Sequence, residues 1–262
     1  MAESAIAARL RQAIERHDDL AVAVSGGVDS MTLASFAHRF TATAITAIHA
    51  VSPAVPARAT ERVREQAERE GWTLVVTGAG EFEDKRYRDN PVDRCYFCKS
   101  NLYGRIAGLT SLRIASGANV DDLGDYRPGL TAAAERDVVH PFVEAGMTKD
   151  DVRKLARAIG LDAISELAAQ PCLASRVETG IAIDADDLAF VERTERSLSE
   201  LAGPRATLRC RITSGGVVLE VGPEAAHLAD AMEARVREFA ERDGRLFAGL
   251  RGYERGSMFV RD

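Results

Sequence analysis

Apolar residues along this chain come in short runs separated by amphipathic stretches. Residues 20–24, 44–50, 72–77 and 112–116 are short runs of five to seven that read as strands, the first of them rich in valine and suited to burial on both faces. Between them, Ile6, Leu10 and Ile14 repeat at helical spacing, residues 31–40 continue one helical stripe, and 58–70 is a charged amphipathic helix closed by Gly71. Its charges, Glu61, Arg62, Arg64, Glu65, Glu68 and Arg69, read as a solvated face. A later helix over 148–160 opens with T-x-x-D and carries Val152, Leu155 and Ile159 inward. The alternation predicts an α/β fold, a Rossmann-like doubly wound parallel sheet with ligands at the carboxyl ends of its strands.

The pattern changes after residue 175. A helix over 184–202 has Leu188, Val191, Leu198 and Leu201 on one stripe, and Glu195 falls on the same stripe. A carboxylate there is costly unless an arginine pairs with it or a ligand uses it. Two strands follow, 207–212 and 217–221, joined through 213–216 as a hairpin. Alternation sends Leu208, Cys210 and Ile212 to the core and Arg209, Arg211 and Glu220 to the other face. Two arginines so spaced can clamp a phosphate, and an Arg209–Glu220 cross-strand pair is the plainer alternative. With a closing helix over 224–240, this divides the chain into a larger α/β domain, 1–175, and a smaller α+β domain, 176–262, for substrate or oligomerisation.

The most telling stretch follows the first strand and reads S-G-G-V-D-S. Ser25, Gly26 and Gly27 turn the backbone, and Asp29 or Ser30 is positioned to cap the next helix. Strand, glycine turn and helix N-terminus together make an anion site. The loop holds no lysine and so is not of the Walker type. It resembles the S-G-G-x-D-S loop of PP-loop ATP pyrophosphatases, which implies ATP, cleaved between its α and β phosphates, with Mg²⁺ near Asp29. Gly117, in G-A-N-V-D-D after the fourth strand, belongs to the same expected nucleotide site. His49, near the end of the second strand, faces the nucleotide or is structural.

With 262 residues, a net charge of −6 and a pI near 5.5, the chain lacks the basic balance of a nucleic-acid binder. No apolar run has membrane-spanning length, and the N-terminal residues lack a signal-peptide pattern, so a cytoplasmic enzyme is expected. Cys95 and Cys98 form C-x-x-C, Cys172 stands in P-C-L-A-S-R, and Cys210 is a core residue by alternation. Three thiols suit an iron–sulfur cluster with one iron open. A zinc site, a reactive thiol or incidental cysteines are the alternatives.

Taken in order, S-G-G-V-D-S, R-C-Y-F-C-K, G-A-N-V-D-D-L-G-D-Y-R-P-G, P-F-V-E-A-G-M-T-K and P-C-L-A-S-R resemble the LarE family of sulfur transferases. The resemblance covers nearly the whole chain. It implies ATP-dependent conversion of the carboxylates of pyridinium-3,5-biscarboxylic acid mononucleotide to thiocarboxylates, for a nickel-pincer nucleotide. It also implies that Cys95, Cys98 and Cys172 hold a [4Fe–4S] cluster carrying sulfide; in another branch the cysteine matching Cys172 gives up its own sulfur. Arg209 and Arg211 match arginines near the substrate phosphate, Glu195 and Glu220 line that pocket, and Arg176 holds anionic groups. A sulfide donor, transient contacts with other nickel-pincer biosynthesis proteins and a homo-oligomer are the expected partners, with no nucleic acid and no membrane. The chain departs from the family where D-K-P-A usually stands: residues 165–169 read S-E-L-A-A, and Glu178-Thr179-Gly180 follows the cysteine motif. A tRNA 2-thiolation enzyme and a zinc-stabilised nucleotide-binding module are the rival readings.

Overall fold

A computed structural model describes residues 5–124, 127–168, 171–203, 206–254 and 256–258. Asp125, Tyr126 and Ala169, which belong to the motifs above, lie outside the described residues. The chain forms two compact units, Met1–Asp84 with Asp93–Gln170, and Lys85–Val92 with Pro171–Asp262.

The first unit is built on β1 (Asp19–Ala23), β2 (Ala44–Val51), β3 (Thr73–Gly78) and β4 (Ile114–Ala115), all parallel, in the order β3-β2-β1-β4. Its longer helices are α1 (Ala5–Ile14), α2 (Val28–Phe40), α3 (Ala57–Glu70), α4 (Arg94–Leu109), α5 (Pro128–Ala134) and α6 (Lys149–Ala158). The fold class is therefore the α/β class that the alternation predicts.

Period two along β1 explains why both faces need cover. Leu20, Val22 and Val24 enter one cluster with Leu10, Ile14, Met31, Val63 and Val152, whereas Ala21 joins Ile48, Tyr103, Ile106 and Ala133 in another. Helices thus pack on both sides of the sheet. The strand order turns between β1 and β4, the crevice where sheets of this kind receive ligands.

The helix ends follow their sequences where a side chain decides them. Thr148 caps α6 with Asp151 in a reciprocal capping box, and Gly71 closes α3 in the left-handed conformation. The start of α2 differs from expectation. Gly27 is its N-cap, without a side-chain cap, and Asp29 and Ser30 lie inside its first turn.

The second unit has a sheet in the order β5-β6-β7, of β5 (Leu208–Thr213), β6 (Gly216–Val221) and β7 (Phe247–Gly252), with α7 (Ala185–Ala202) and α8 (Ala229–Arg242). The hairpin register pairs Arg209 with Glu220, Cys210 with Leu219 and Ile212 with Val217, as the sequence predicts. Leu188, Val191 and Leu198 of α7 are buried, but Leu201 is exposed at the helix end. Segment 85–92 joins this unit through Asn90, whose side-chain amide donates to the carbonyls of Glu178 and Ile181 at 2.8 and 2.9 Å. Among the described residues, no helix is long and apolar enough to cross a membrane.

One carboxylate ties α2, α3 and the turn before β3 together. Glu70, at the end of α3, accepts hydrogen bonds from Ser35 Oγ of α2 (3.0 Å), Trp72 Nε1 (3.0 Å) and Gln66 Nε2, with Arg39 Nε at 3.6 Å. Ser35 is fully buried, so Glu70→Ala strands its hydroxyl and the indole N–H. The expected loss is roughly 2–3 kcal/mol of stability, read as a lower urea midpoint at unchanged slope.

Candidate functional site

The S-G-G-V-D-S loop is shaped by close backbone contact. Gly26 has φ +81°, and a Cβ there would stand 2.6 Å from the carbonyl oxygen of Ala59. A Cβ on Gly117, beyond β4, would stand 2.8 Å from the amide nitrogen of Ser30. Neither position admits another residue without movement of the backbone. Ser30 Oγ organises the turn, accepting from the Ser25 amide at 3.0 Å, donating to Gly27 O at 3.3 Å and lying 3.1 Å from Ser25 Oγ. The first-turn amides of α2 have no side-chain cap, which leaves a helix N-terminus open to an anion.

Asp29 is held from two later segments. Lys149 Nζ of α6 forms an ion pair with it, and Asn119 Nδ2 donates to it at 3.4 Å. The Lys149 amide donates to Asp121 Oδ2 at 2.9 Å, so backbone and side chain of this lysine are both fixed. Asn119 and Asp122 form their own capping box after Gly117. Beside them Ser116 Oγ lies 2.8 Å from His140 Nδ1, and burial pushes the pKa of His140 down.

Cys95 and Cys98 sit one turn apart at the start of α4, Cys95 exposed and Cys98 partly so. Gly129 of α5 lies against this turn, where a Cβ would stand 2.9 Å from Lys99 Cγ. Within the first unit, among the described residues, no third His, Cys, Asp or Glu joins the two thiols as a metal-binding group.

In the second unit, Cys172 is exposed and precedes a 3-10 turn, Leu173–Arg176. Arg176 is buried and binds Glu195 through two bonds, Nε to Oε1 at 3.0 Å and Nη2 to Oε2 at 2.8 Å. Its Nη1 reaches back to the carbonyls of Pro171 (2.8 Å) and Cys172 (3.3 Å). Burial works against its charge, but Glu195 outweighs that and raises its pKa above the ordinary arginine value. The Cys210 amide donates to Glu195 Oε1 at 2.9 Å. Burial, and then Glu195, push the Cys210 thiol far up, so it is an inert core group.

Arg211 is buried rather than solvent-facing. It bonds Glu220 Oε2 at 2.8 Å and the Ser175 carbonyl at 3.0 Å. Glu220, fully buried, also accepts from Arg251 (2.9 Å) and Ser257 Oγ (2.7 Å). The register sets Arg209 opposite Glu220, yet the ion pairs run to Arg211 and Arg251 instead. Arg209 donates to its neighbour's carbonyl and lies over the Tyr253 ring at 5.6 Å, with no ion pair among the described residues. Burial, then the nearby Arg176 charge, lower its pKa. Three arginines thus share two carboxylates in this cluster, with Arg209 beside them.

No family model matches the chain. An uncharacterised protein of Synechocystis is 33% identical over 257 residues, 95% of each chain. The pyridinium-3,5-bisthiocarboxylic acid mononucleotide synthase of Lactiplantibacillus plantarum is 29% identical over 223 residues, 83% of this chain and 79% of that protein. An uncharacterised Methanocaldococcus jannaschii protein is 24% identical over 230 residues, 86% of each chain. The chain belongs to the LarE family of PP-loop proteins.

The LarE motifs divide between the two units. Ser25, Gly26, Gly27, Asp29, Ser30 and Gly117 come together in the first, which also carries Cys95 and Cys98. Cys172, Arg176, Glu195, Arg209, Arg211 and Glu220 belong to the second. Three residues escape sequence reasoning. Lys149 lies within P-F-V-E-A-G-M-T-K, where it reads only as the start of a helix. Arg251 and Ser257 carry no motif at all. Arg251 acts from a strand, β7, whose two glycines and short run hide it, and Ser257 from the turn beyond it.

The buried Arg176–Glu195 pair supports a test of its own. Glu195→Ala leaves a guanidinium uncompensated among buried groups, with roughly 3–5 kcal/mol of lost stability expected. Replacing both partners, Arg176→Met with Glu195→Leu, should cost far less, and urea unfolding of the three proteins measures the difference.

Proposed function

We propose that this protein is an ATP-dependent sulfur transferase. It adenylates the carboxylates of pyridinium-3,5-biscarboxylic acid mononucleotide and converts them to thiocarboxylates for a nickel-pincer nucleotide. The observation that carries the reading is the loop 25–30, closed by Gly26 and Gly117 and opening onto an uncapped helix start, in a relative of a named synthase of this nucleotide.

On this reading the phosphates of ATP lie on the amides of the loop and the first turn of α2. Asp29 is the carboxylate nearest to hand for Mg²⁺. Lys149, which pairs with Asp29, supplies the cation that the loop lacks. A substrate carboxylate oxygen attacks the α phosphorus; the bond to pyrophosphate breaks, and an acyl-adenylate remains. Arg209, the arginine of its cluster without an ion pair among the described residues, offers a guanidinium to the substrate phosphate. The surplus of arginines over carboxylates around it favours a dianion there. Arg176 and Arg211 act through the backbone, holding the carbonyls of Pro171, Cys172 and Ser175 and so the Cys172 loop.

The thiols fit an iron–sulfur cofactor by type and by access. Cys95, Cys98 and Cys172 are open to varying degrees, whereas Cys210 is sealed in the core. Cys95, Cys98 and Cys172 would hold a [4Fe–4S] cluster, which would supply the sulfide for the transfer, with a separate sulfide donor to replenish it. The net charge of −6 disfavours tRNA as the substrate.

Anaerobically purified protein is expected to hold about four irons per chain with acid-labile sulfide, and Cys98→Ala to lose both while still binding nucleotide. No iron, with the chain losing the mass of one H₂S after reaction, would make Cys172 a sacrificial donor instead. Lys149→Ala should weaken magnesium α,β-methylene-ATP by about tenfold or more in calorimetric titration, with stability nearly unchanged because a half-exposed pair contributes little.

A further inference from the structure

In sequence, the helix after the second strand reads as a solvated face. In the structure, α3 stands directly behind the nucleotide loop. Gly26 approaches Ala59 so closely that no Cβ fits between them. Arg62, half-buried on the next turn of α3, donates from Nη1 to the Gly26 carbonyl. Its neighbours Glu61, Arg64, Glu65, Glu68 and Arg69 are exposed, as the sequence predicts.

A second bond reaches the loop from the sheet. His49 of β2 is fully buried, with Nδ1 2.7 Å from the Val24 carbonyl and Nε2 2.9 Å from Thr60 Oγ1. A carbonyl only accepts, so the ring proton sits on Nδ1, and Nε2 accepts from the Thr60 hydroxyl. This tautomer is neutral. The ring therefore joins the end of β1 to α3 through two oriented bonds.

These two contacts fix more than two carbonyls. In a trans peptide the C=O and the following N–H point in opposite directions. Drawing the Val24 carbonyl toward His49 turns the Ser25 amide away from it, into the loop, where it donates to Ser30 Oγ at 3.0 Å. Drawing the Gly26 carbonyl toward Arg62 turns the Gly27 amide the same way, toward Ser25 Oγ at 3.4 Å. The amides on the inner side of the loop are thus set by donors on its outer side.

We propose that His49 and Arg62 are positioning residues for ATP, holding the carbonyls of Val24 and Gly26 from behind so that the loop's amides are aimed before the nucleotide arrives. The proposal rests on the reading of this loop as the ATP site. Preorganised donors bind a phosphate without the cost of ordering the loop at that moment. Neither residue touches the nucleotide, so each acts on affinity and leaves the chemistry to others.

The test is calorimetric titration of the full-length protein with magnesium α,β-methylene-ATP, with the melting temperature of each variant measured alongside. Arg62→Met removes the donor at a half-exposed position and is expected to weaken binding about tenfold, the scale of one lost charged hydrogen bond. The loss should persist at high salt, and the melting temperature should stay within a degree or two. Arg62→Lys, which keeps a donor of similar reach, should recover most of the affinity. His49→Asn, whose amide can replace the Nδ1 proton, should bind better than His49→Leu. If His49→Leu fails to fold, the Arg62 pair carries the test alone.

Binding by Arg62→Met equal to that of the native protein would overturn the proposal and leave the ATP reading standing. A loss that disappears at high salt would overturn it too, since charge and not orientation would then be at work. No binding by the native protein would overturn the ATP reading, and this inference with it.

Discussion

Around the loop 25–30, backbones approach too closely for any side chain to intervene. A methyl group on Gly26 would collide with the Ala59 carbonyl, and one on Gly117 with the Ser30 amide. The first contact presses α3 on one side of the loop, and the second brings the segment after β4 onto the other. The strand order β3-β2-β1-β4 makes both possible, because β1 lies between the strands that lead to these segments. Most of what gathers here, Asn119, Asp121, Lys149 and Arg62, is delivered by those contacts. Tight packing of main chain is a demanding constraint, yet it leaves amides rather than side chains facing the ligand.

The second unit meets a different problem by burying charge. A thiol exposed on a short turn has little apolar surface to hold it in place. Arg176 and Arg211 fasten this turn through the carbonyls of residues 171, 172 and 175, and directional bonds of that kind need donors that are themselves fixed. Glu195 and Glu220 fix them. Taking such pairs out of water costs several kcal/mol per ion in general, and extra partners offset that cost here: the Cys210 amide for Glu195, Arg251 and Ser257 for Glu220. An apolar core would fill the same space without orienting the turn.

The sequence made the strands of the first unit legible because each is a short apolar run, buried on both faces in β1 and half-covered at the β3 edge. It made the hairpin legible down to its register, since alternation and the turn residues 213–216 agree. It misled where a face is covered by something distant. Arg209 and Arg211 share one face of β5, and alternation puts both away from the core, as a phosphate clamp or with Arg209 in a cross-strand pair. Arg211 is buried because Ser175 and Glu220 lie over that face, and Glu220 is reached in turn by β7 and Ser257. No local pattern announces β7. Likewise, Asp29 and Ser30 are good capping residues, but the glycine turn starts the helix before them, so their side chains serve the loop instead.

Lys149 illustrates the deepest limit of local reading. A loop that carries Asp29 at an uncapped helix start has a negative charge to neutralise. Walker-type loops place a lysine within the loop, adjacent in sequence to its task. Here the cation comes from a segment 120 positions away, set at the first residue of α6 by the Thr148–Asp151 capping box and by the bond from its amide to Asp121. Ordinary helix-start chemistry, visible in T-x-x-D, is what aims the lysine at the loop. The capping residues thereby carry a role in the site without touching it, and the aspartate and its counter-charge stay on separate elements of one unit. A cation held by its helix rather than by the loop keeps a fixed origin opposite Asp29.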